Sequence, residues 1–320
     1  MIAAWRAAHG PECGCGDAAG GTDDDGTGRG AAPVAVALRG EGRVTPWLTI
    51  RQGRAPLLVS FPHTGTQLPD IFAGKLVSPW LARKDADWWI DRLYDFAGEL
   101  DATLVHTAIS RTVIDVNRDP SGASLYPGQA TTELCPTTTF DGEPLYRDGG
   151  PDASGMARRR EEYFRPYHDA LSSEIVRLRG LHPRIVLYDC HSIRSVIPRL
   201  FEGILPEMNI GTNGGASCDP QLSAEVAALC ARSRFSHVVN GRFKGGWITR
   251  CYGRPTAGVH AVQMELACRA YMRDPEAPLS EANWPAPYEP DRAAPMRAVL
   301  RTILQACLQF ADAPSTKGKP

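Results

Sequence analysis

Two histidines directly follow short apolar runs. His63 comes after Pro56–Phe61 (PLLVSF) and Pro62, and His191 ends Arg184–Cys190 (RIVLYDC). If both runs are buried strands of an α/β sheet, the two imidazoles emerge at the C-terminal strand ends, where such sheets bind ligands. One histidine in that place is as readily an ordinary loop residue; two at equivalent ends point to a shared site. Imidazole pairs bind divalent metals, which need a third carboxylate or histidine ligand and an open position for water. The chain has no HExxH motif, so the ligands must converge from separate segments. Residues alone leave the third ligand open among Asp87 and Asp91, spaced i,i+4 in DADWWIDRLY, and His260, which also reads as a core residue of an apolar strand.

The strand GVHAVQMEL (258–266) adds a base. Alternation puts Ala261, Gln263 and Glu265 on one face and His260, Val262, Met264 and Leu266 on the other. A glutamate late in a buried strand costs several kcal/mol if charged and unpaired, so it needs a cation, a proton or a metal-activated water; an ion pair with an arginine is the plain structural alternative. Arg111, Arg118, Arg194, Arg250 and Arg254 fall at or beyond strand ends. Guanidinium groups grip carboxylates bidentately, which suits an anionic, dicarboxylate small molecule. Nucleophilic chemistry is disfavoured: there is no GxSxG, Ser192 follows His191 rather than facing it, and the side chains of Cys190 and His191 diverge in an extended chain.

The elements that would hold these groups alternate between strand and helix, which argues for an α/β sheet covered on both faces. Strands are expected at 56–61, 103–108, 112–116, 184–190, 237–240 and 259–266. Helices are expected from the Ser78-Pro79 cap to about Leu100, from Ser154 to Arg179 ahead of Gly180, from the Asp219-Pro220 cap to Arg232, and over Met296–Phe310. Residues 117–151, rich in Pro, Gly and Thr, read as a long functional loop or lid. Residues 1–40 are Gly-, Ala- and Asp-rich and are expected to be disordered, leaving 41–315 as a single domain. GTGRGAA in that segment lacks the preceding strand and the lysine of a phosphate loop, and Cys13-Gly-Cys15 lacks nearby partners for a metal.

Thirty-five basic residues against thirty-six acidic ones exclude a role driven by bulk charge on nucleic acid or a membrane surface. No apolar run approaches the length of a membrane span, and the N-terminus is no convincing secretory signal. The cysteines, among them Cys190, Cys230, Cys268 and Cys307, read as reduced core residues of a cytoplasmic protein. Oligomeric state leaves no mark in the sequence.

SFPHTG (60–65), DADWWIDRLYDF (85–96), SRTVIDVNRDPSG (110–122), DCHS (189–192), NIGTNGGASCDP (209–220), and GGWITRCYGRP with HAVQMEL (245–266) together resemble the N-formylglutamate amidohydrolase family, over about residues 45–290. That resemblance implies a three-layer α/β/α sandwich with a mixed, mostly parallel central sheet, as in zinc carboxypeptidases and aspartoacylases, and one zinc ion. It implies deformylation of N-formyl-L-glutamate to formate and glutamate, the last step of a histidine-degradation route. His63 and His191 match the two histidine ligands. The acidic ligand that follows the first histidine by three residues in carboxypeptidases is here Thr66, so the resemblance carries that role to Asp87. Glu265 resembles the general base, and Asn117-Arg118 the pair that holds a substrate carboxylate, with Arg118 also near the developing oxyanion. Arg194 and Arg250 carry over by charge and position, and Asp189, on the strand face of His191, would orient that ligand. The competing expectations are an amidohydrolase for an N-acyl or N-formyl aspartate, a non-catalytic acid-binding protein on the same fold, and a serine or cysteine hydrolase.

Overall fold

The structure is a computed structural model and describes residues 44–45, 47–274 and 278–314. The tail expected over residues 1–40 lies outside them. Eight strands form one sheet: β1 Val44–Thr45, β2 Leu48–Arg51, β3 Leu57–Phe61, β4 Thr103–Thr107, β5 Ile185–Ile193, β6 Met208–Gly211, β7 His237–Val239 and β8 Val259–Ala267, in the order β1-β2-β4-β3-β5-β8-β6-β7. The middle four, β4-β3-β5-β8, are parallel, β6 pairs parallel with β7, and the β1-β2, β2-β4 and β8-β6 pairings are antiparallel. The sheet is therefore mixed, with a parallel centre.

Strand alternation sorts the core into two layers. Leu57, Val59, Val186, Tyr188, Val262 and Met264 pack on one face against the helices Pro220–Arg232 and Pro290–Asp312. Leu58, Ile185, Leu187 and Ala261 pack on the other against Arg165–Arg179 and the short helix Trp247–Tyr252. These are the three layers of an α/β/α sandwich. Toward the C-terminal strand ends the second face turns polar: Leu58 gives way to Ser60, Leu187 to Asp189 and His191, and Ala261 to Gln263 and Glu265. All five of these polar residues are buried. A period-2 pattern thus runs from core to site without changing face.

Several expectations change. The helix expected from Ser78 to Leu100 breaks into turns over Leu81–Arg83, Ile90–Leu93 and Asp95–Leu100, although Ser78 does cap its start, its Oγ accepting from Trp80 N at 3.1 Å. In an unbroken helix the Asp87 N–H would bond the carbonyl of residue 83. It bonds the His63 carbonyl instead, at 2.9 Å, and Trp89 takes a left-handed φ of 64°. The break brings Asp87 against His63. Residues 112–116 are turns rather than a strand, because the backbone bonds no neighbouring strand there: Val113 N donates to Ser110 O within a turn, and Asp115 N to Leu134 O in the loop beyond. β5 runs on through His191 to Ile193, so that histidine belongs to the strand itself. β2, β6 and the Trp247–Tyr252 helix carried no advance signal.

The Asp219-Pro220 cap and the helix to Arg232 form as expected, with Asp219 accepting from Gln221 N. The 154–179 helix forms with a π-helical turn at Arg160–Phe164. Cys190, Cys230, Cys268 and Cys307 are free and buried, whereas Cys251 is disulfide-bonded. Among the described residues no helix is long and apolar enough to cross a membrane.

His168, on the Arg165–Arg179 helix, ties this layer to the site. Its Nε2 donates to Val116 O at 2.8 Å and its Nδ1 lies 2.9 Å from the Tyr252 hydroxyl. Burial pushes its pKa down to about 4. The unfolded chain would protonate it near the ordinary value of about 6.5, so its contribution to stability is complete above that pH. It is lost as the pH falls toward 4, up to about 3 kcal/mol. Melting curves between about pH 7 and about pH 4.5 should show Tm falling less steeply for His168→Gln, which keeps a donor for Val116 O, than for the parent. Parallel curves would remove His168 as the source.

Candidate metal centre and cleft

Three segments meet at the polar end of the sheet. His63 follows β3 through Pro62, Asp87 arrives on the broken helix, and His191 stands within β5. One donor atom from each lies within 4.8 Å of the others, and all three residues are buried. Asp87 Oδ2 is 3.0 Å from His191 Nδ1 and 3.6 Å from His63 Nδ1. The opposite ring nitrogens are held by other carboxylates: His63 Nε2 by Asp115 Oδ1 at 2.7 Å, and His191 Nε2 by Asp189 Oδ2 at 2.9 Å. Fixing each Nε2 orients each Nδ1 toward Asp87, the arrangement by which carboxylates prepare histidine ligands.

The cluster fits a divalent cation by its chemistry. His63 Nδ1 and Asp87 Oδ1 are buried without a hydrogen-bond partner, a costly state that a metal would relieve. Two imidazoles and a carboxylate form a familiar open set for a catalytic metal. Electrostatics agree. Burial alone would raise the Asp87 carboxyl, but the charge of His63 and the bond to His191 outweigh it and hold it below the ordinary range. Burial would lower His191, yet Asp189 and Asp87 raise it well above its usual value. The group can thus bind a metal, with loss of a proton.

Around it, Asp115 is the hub. Burial would raise its carboxyl, but Arg118, His63 and Arg111 hold it well below the ordinary range. Its Oδ1 also accepts from Asn117 N at 2.9 Å, and its Oδ2 accepts from Arg111 Nη2 at 2.6 Å. Asn117 is positioned as tightly: Nδ2 donates to Asp189 Oδ2 at 3.2 Å and lies 2.9 Å from His191 Nε2, while Oδ1 accepts from Ile248 N at 2.8 Å. Gly246 passes so close that a Cβ there would lie 2.4 Å from Asn117 Nδ2. Its N–H donates to Gln263 Oε1, and Gln263 Nε2 donates to Glu265 Oε2 at 3.2 Å. Glu265 is the Cα partner of His191 across β5 and β8. Burial pushes its carboxyl up to about 7, against the lowering charge of His191.

His63, His191, Asn117, Arg111, Arg118 and Glu265 all line one cleft. Other expected residues are placed elsewhere. Arg194 bonds Asp141 at 2.7 Å and Asp85 at 3.4 Å, Arg250 donates to Gly245 O, and Arg254 donates to the carbonyls of Arg250 and Gly253. None of these three lines the cleft. Asp91 is exposed, and His260 accepts from Asp219 N beside Phe310 on the opposite face. Three contributors escaped sequence reasoning. Asp115 sits inside the apolar run TVIDV and could have been found by the argument applied to Glu265, that a buried acid needs partners. Arg242 and Tyr126 lie in loops with no local pattern.

Residues 55–272, the span that holds every one of these groups, match the family model for N-formylglutamate amidohydrolase. This chain belongs to the N-formylglutamate amidohydrolase family. A relative named N-formylglutamate deformylase, from Pseudomonas aeruginosa, is 48% identical over 265 residues, covering 82% of this chain and 96% of the relative. Its namesake from Pseudomonas putida is 47% identical over the same shares. Among solved structures, the N-formylglutamate amidohydrolase from Ralstonia eutropha JMP134 superposes with a TM-score of 0.67 at 21% identity, over 84% of this chain and 98% of that one. The gene product Atu2144 from Agrobacterium tumefaciens gives 0.63 at 17%, over 83% and 96%. These two structures share the fold of this family member.

Asp87→Ala should abolish metal binding at this cluster while the chain stays folded, because it removes the carboxylate that faces both Nδ1 atoms. Metal content by atomic absorption after gel filtration tests this; a variant retaining one metal ion per chain would remove Asp87 from the ligand set.

Proposed function

We propose that this chain hydrolyses N-formyl-L-glutamate to formate and L-glutamate, using one divalent metal ion, zinc, held by His63, Asp87 and His191. One observation carries the reading: Glu265, register partner of His191, opens into the same cleft as the two histidines and a set of arginines. The names of the two Pseudomonas relatives, at nearly half identity, supply the formyl group and the glutamate. Two nitrogens and a carboxylate oxygen are the donors that zinc hydrolases use.

When bound, the metal supplies Lewis acidity to the formyl oxygen and to water. The remaining work falls to side chains of this chain. Glu265 takes a proton from the attacking water as its oxygen bonds the formyl carbon, and delivers it to the amide nitrogen as the C–N bond breaks. A carboxyl raised to about 7 by burial suits a group that both accepts and returns a proton near neutrality. Gln263, bonded to Glu265 and to Gly246 N, holds the base in place. Arg118 stands beside Asn117 at the cleft wall, where its charge can hold the substrate's α-carboxylate or the oxyanion that forms at the formyl carbon. Asp115 and Asp189 keep both rings turned throughout.

Formate release from N-formylglutamate tests the reaction. The parent should release formate, lose that activity to a chelator and regain it on adding zinc. Glu265→Gln should keep its metal and lose about 10²- to 10⁴-fold in kcat. A parent that releases no formate overturns the reaction, and a Glu265→Gln variant at the parent's rate overturns the base.

A further inference from the structure

The cleft holds three arginines, and they are not equivalent. Arg111 is neutralised by Asp115 at 2.6 Å and lies 3.5 Å from Asp87. Arg118 lies 3.6 Å from Asp115, and its donors go to Thr132 O, Thr132 Oγ1 and Asn117 O. Arg242, half-buried in the loop after β7, has no carboxylate at ion-pair distance among the described residues. Its Nε donates to Leu200 O at 2.9 Å and its Nη2 to Ala130 O at 2.8 Å, both neutral acceptors. No hydrogen bond from Nη1 is formed among the described residues.

The guanidinium is also fixed in direction. It lies over the rings of Tyr126, 5.5 Å from the centroid, and Phe243, at 5.3 Å. Tyr126 is anchored in turn, its hydroxyl donating to Gly245 O and accepting from Lys244 N. A planar cation held by aromatic rings and two carbonyls loses little freedom on gripping a second planar group. Leu200, Phe243 and Ile193 line the same cleft and offer an apolar wall for methylene groups. Burial lowers the Arg242 pKa, and the charge of Glu265 acts on it across the cleft. A half-buried, uncompensated cation carries a desolvation cost that an arriving anion offsets.

Resting on the deformylase reading, we propose that Arg242 is the contact for the substrate's side-chain carboxylate, and so the residue that distinguishes formylated glutamate from its uncharged analogues. A carboxylate meeting Nη1 and Nη2 would gain charge-assisted, two-point hydrogen bonding in a site already oriented for it. Arg118, nearer to the metal cluster through Asp115 and Asn117, is left for the α-carboxylate.

Steady-state kinetics on N-formylglutamate and on N-formylglutamine, which has nearly the same shape without the side-chain charge, separate this from a purely structural role for Arg242. Arg242→Gln should raise KM for N-formylglutamate by about 10- to 100-fold with kcat within a few-fold, and leave N-formylglutamine turnover nearly unchanged. Arg242→Lys should recover part of the loss, since it restores the charge without the planar fork. If Arg242→Gln fails to fold, Arg242→Lys alone bears the test: KM should rise for N-formylglutamate and stay level for N-formylglutamine. Equal losses on both substrates would show that Arg242 only staples Ala130 to Leu200, and unchanged KM values would show that it meets no carboxylate; either overturns the proposal. A parent that turns over both substrates equally well also overturns it while leaving the deformylase reading intact. A parent inert toward N-formylglutamate overturns both.

Discussion

Two carboxylates outside the His63–Asp87–His191 cluster hold the site together. Asp115 and Asp189 each take the Nε2 of one histidine, and with those nitrogens committed, both Nδ1 atoms can only face Asp87. Nearly every other feature serves to hold those two acids still. Asp115 is surrounded by Arg111, Arg118 and the Asn117 N–H. Asp189 accepts from Ser60 Oγ at 2.6 Å on one oxygen and from the Asn117 amide on the other. Ser60 is itself 3.2 Å from the Tyr167 hydroxyl on the covering helix. Desolvating this many charges is tolerable only because nearly every lone pair is used.

Where the pattern is periodic, the sequence was legible. Alternation along β8 placed Gln263 and Glu265 together on the correct face, and the spacing of Asp189 and His191 put the acid beside its ring. The Asp219-Pro220 cap announced its helix to the residue, since a cap is a local interaction. Legibility failed where tertiary contacts overrode local preference. Residues 78–100 read as one helix behind the Ser78-Pro79 cap, but the bond from Asp87 N to the His63 carbonyl and the left-handed Trp89 cannot be inferred from nearby residues. Thr112–Val116 has β-branched residues that suggest a strand, yet its backbone turns to place Asp115 between a histidine and two arginines.

The arginines show the same limit. Counting positive charges near strand ends pointed to an acidic ligand, but Arg194 is paired with Asp85 and Asp141, and Arg250 caps its own turn. Arg194 fastens the segment carrying Phe140, whose ring lies 4.8 Å from the Arg111 guanidinium and lines the cleft. Through these contacts it braces a wall of the cleft. Only the three-dimensional pairing shows which arginine of the cleft lacks a carboxylate at ion-pair distance among the described residues, and no spacing rule could select Arg242 from a loop.

His191 and Glu265 are neighbours across two parallel strands whose alternate residues are Cys190 and Met264, members of the apolar core. Site and core are therefore the two sides of one ribbon. A shift of either strand by one position would turn a thiol or a thioether into the cleft and bury an imidazole or a carboxylate among hydrocarbons. Mutation cannot slide this active centre gradually along the sheet, because each single step would dismantle the core that supports it. Divergence within such a scaffold is channelled into the loops at its mouth, where ligand preference can change while the reacting groups stay in place.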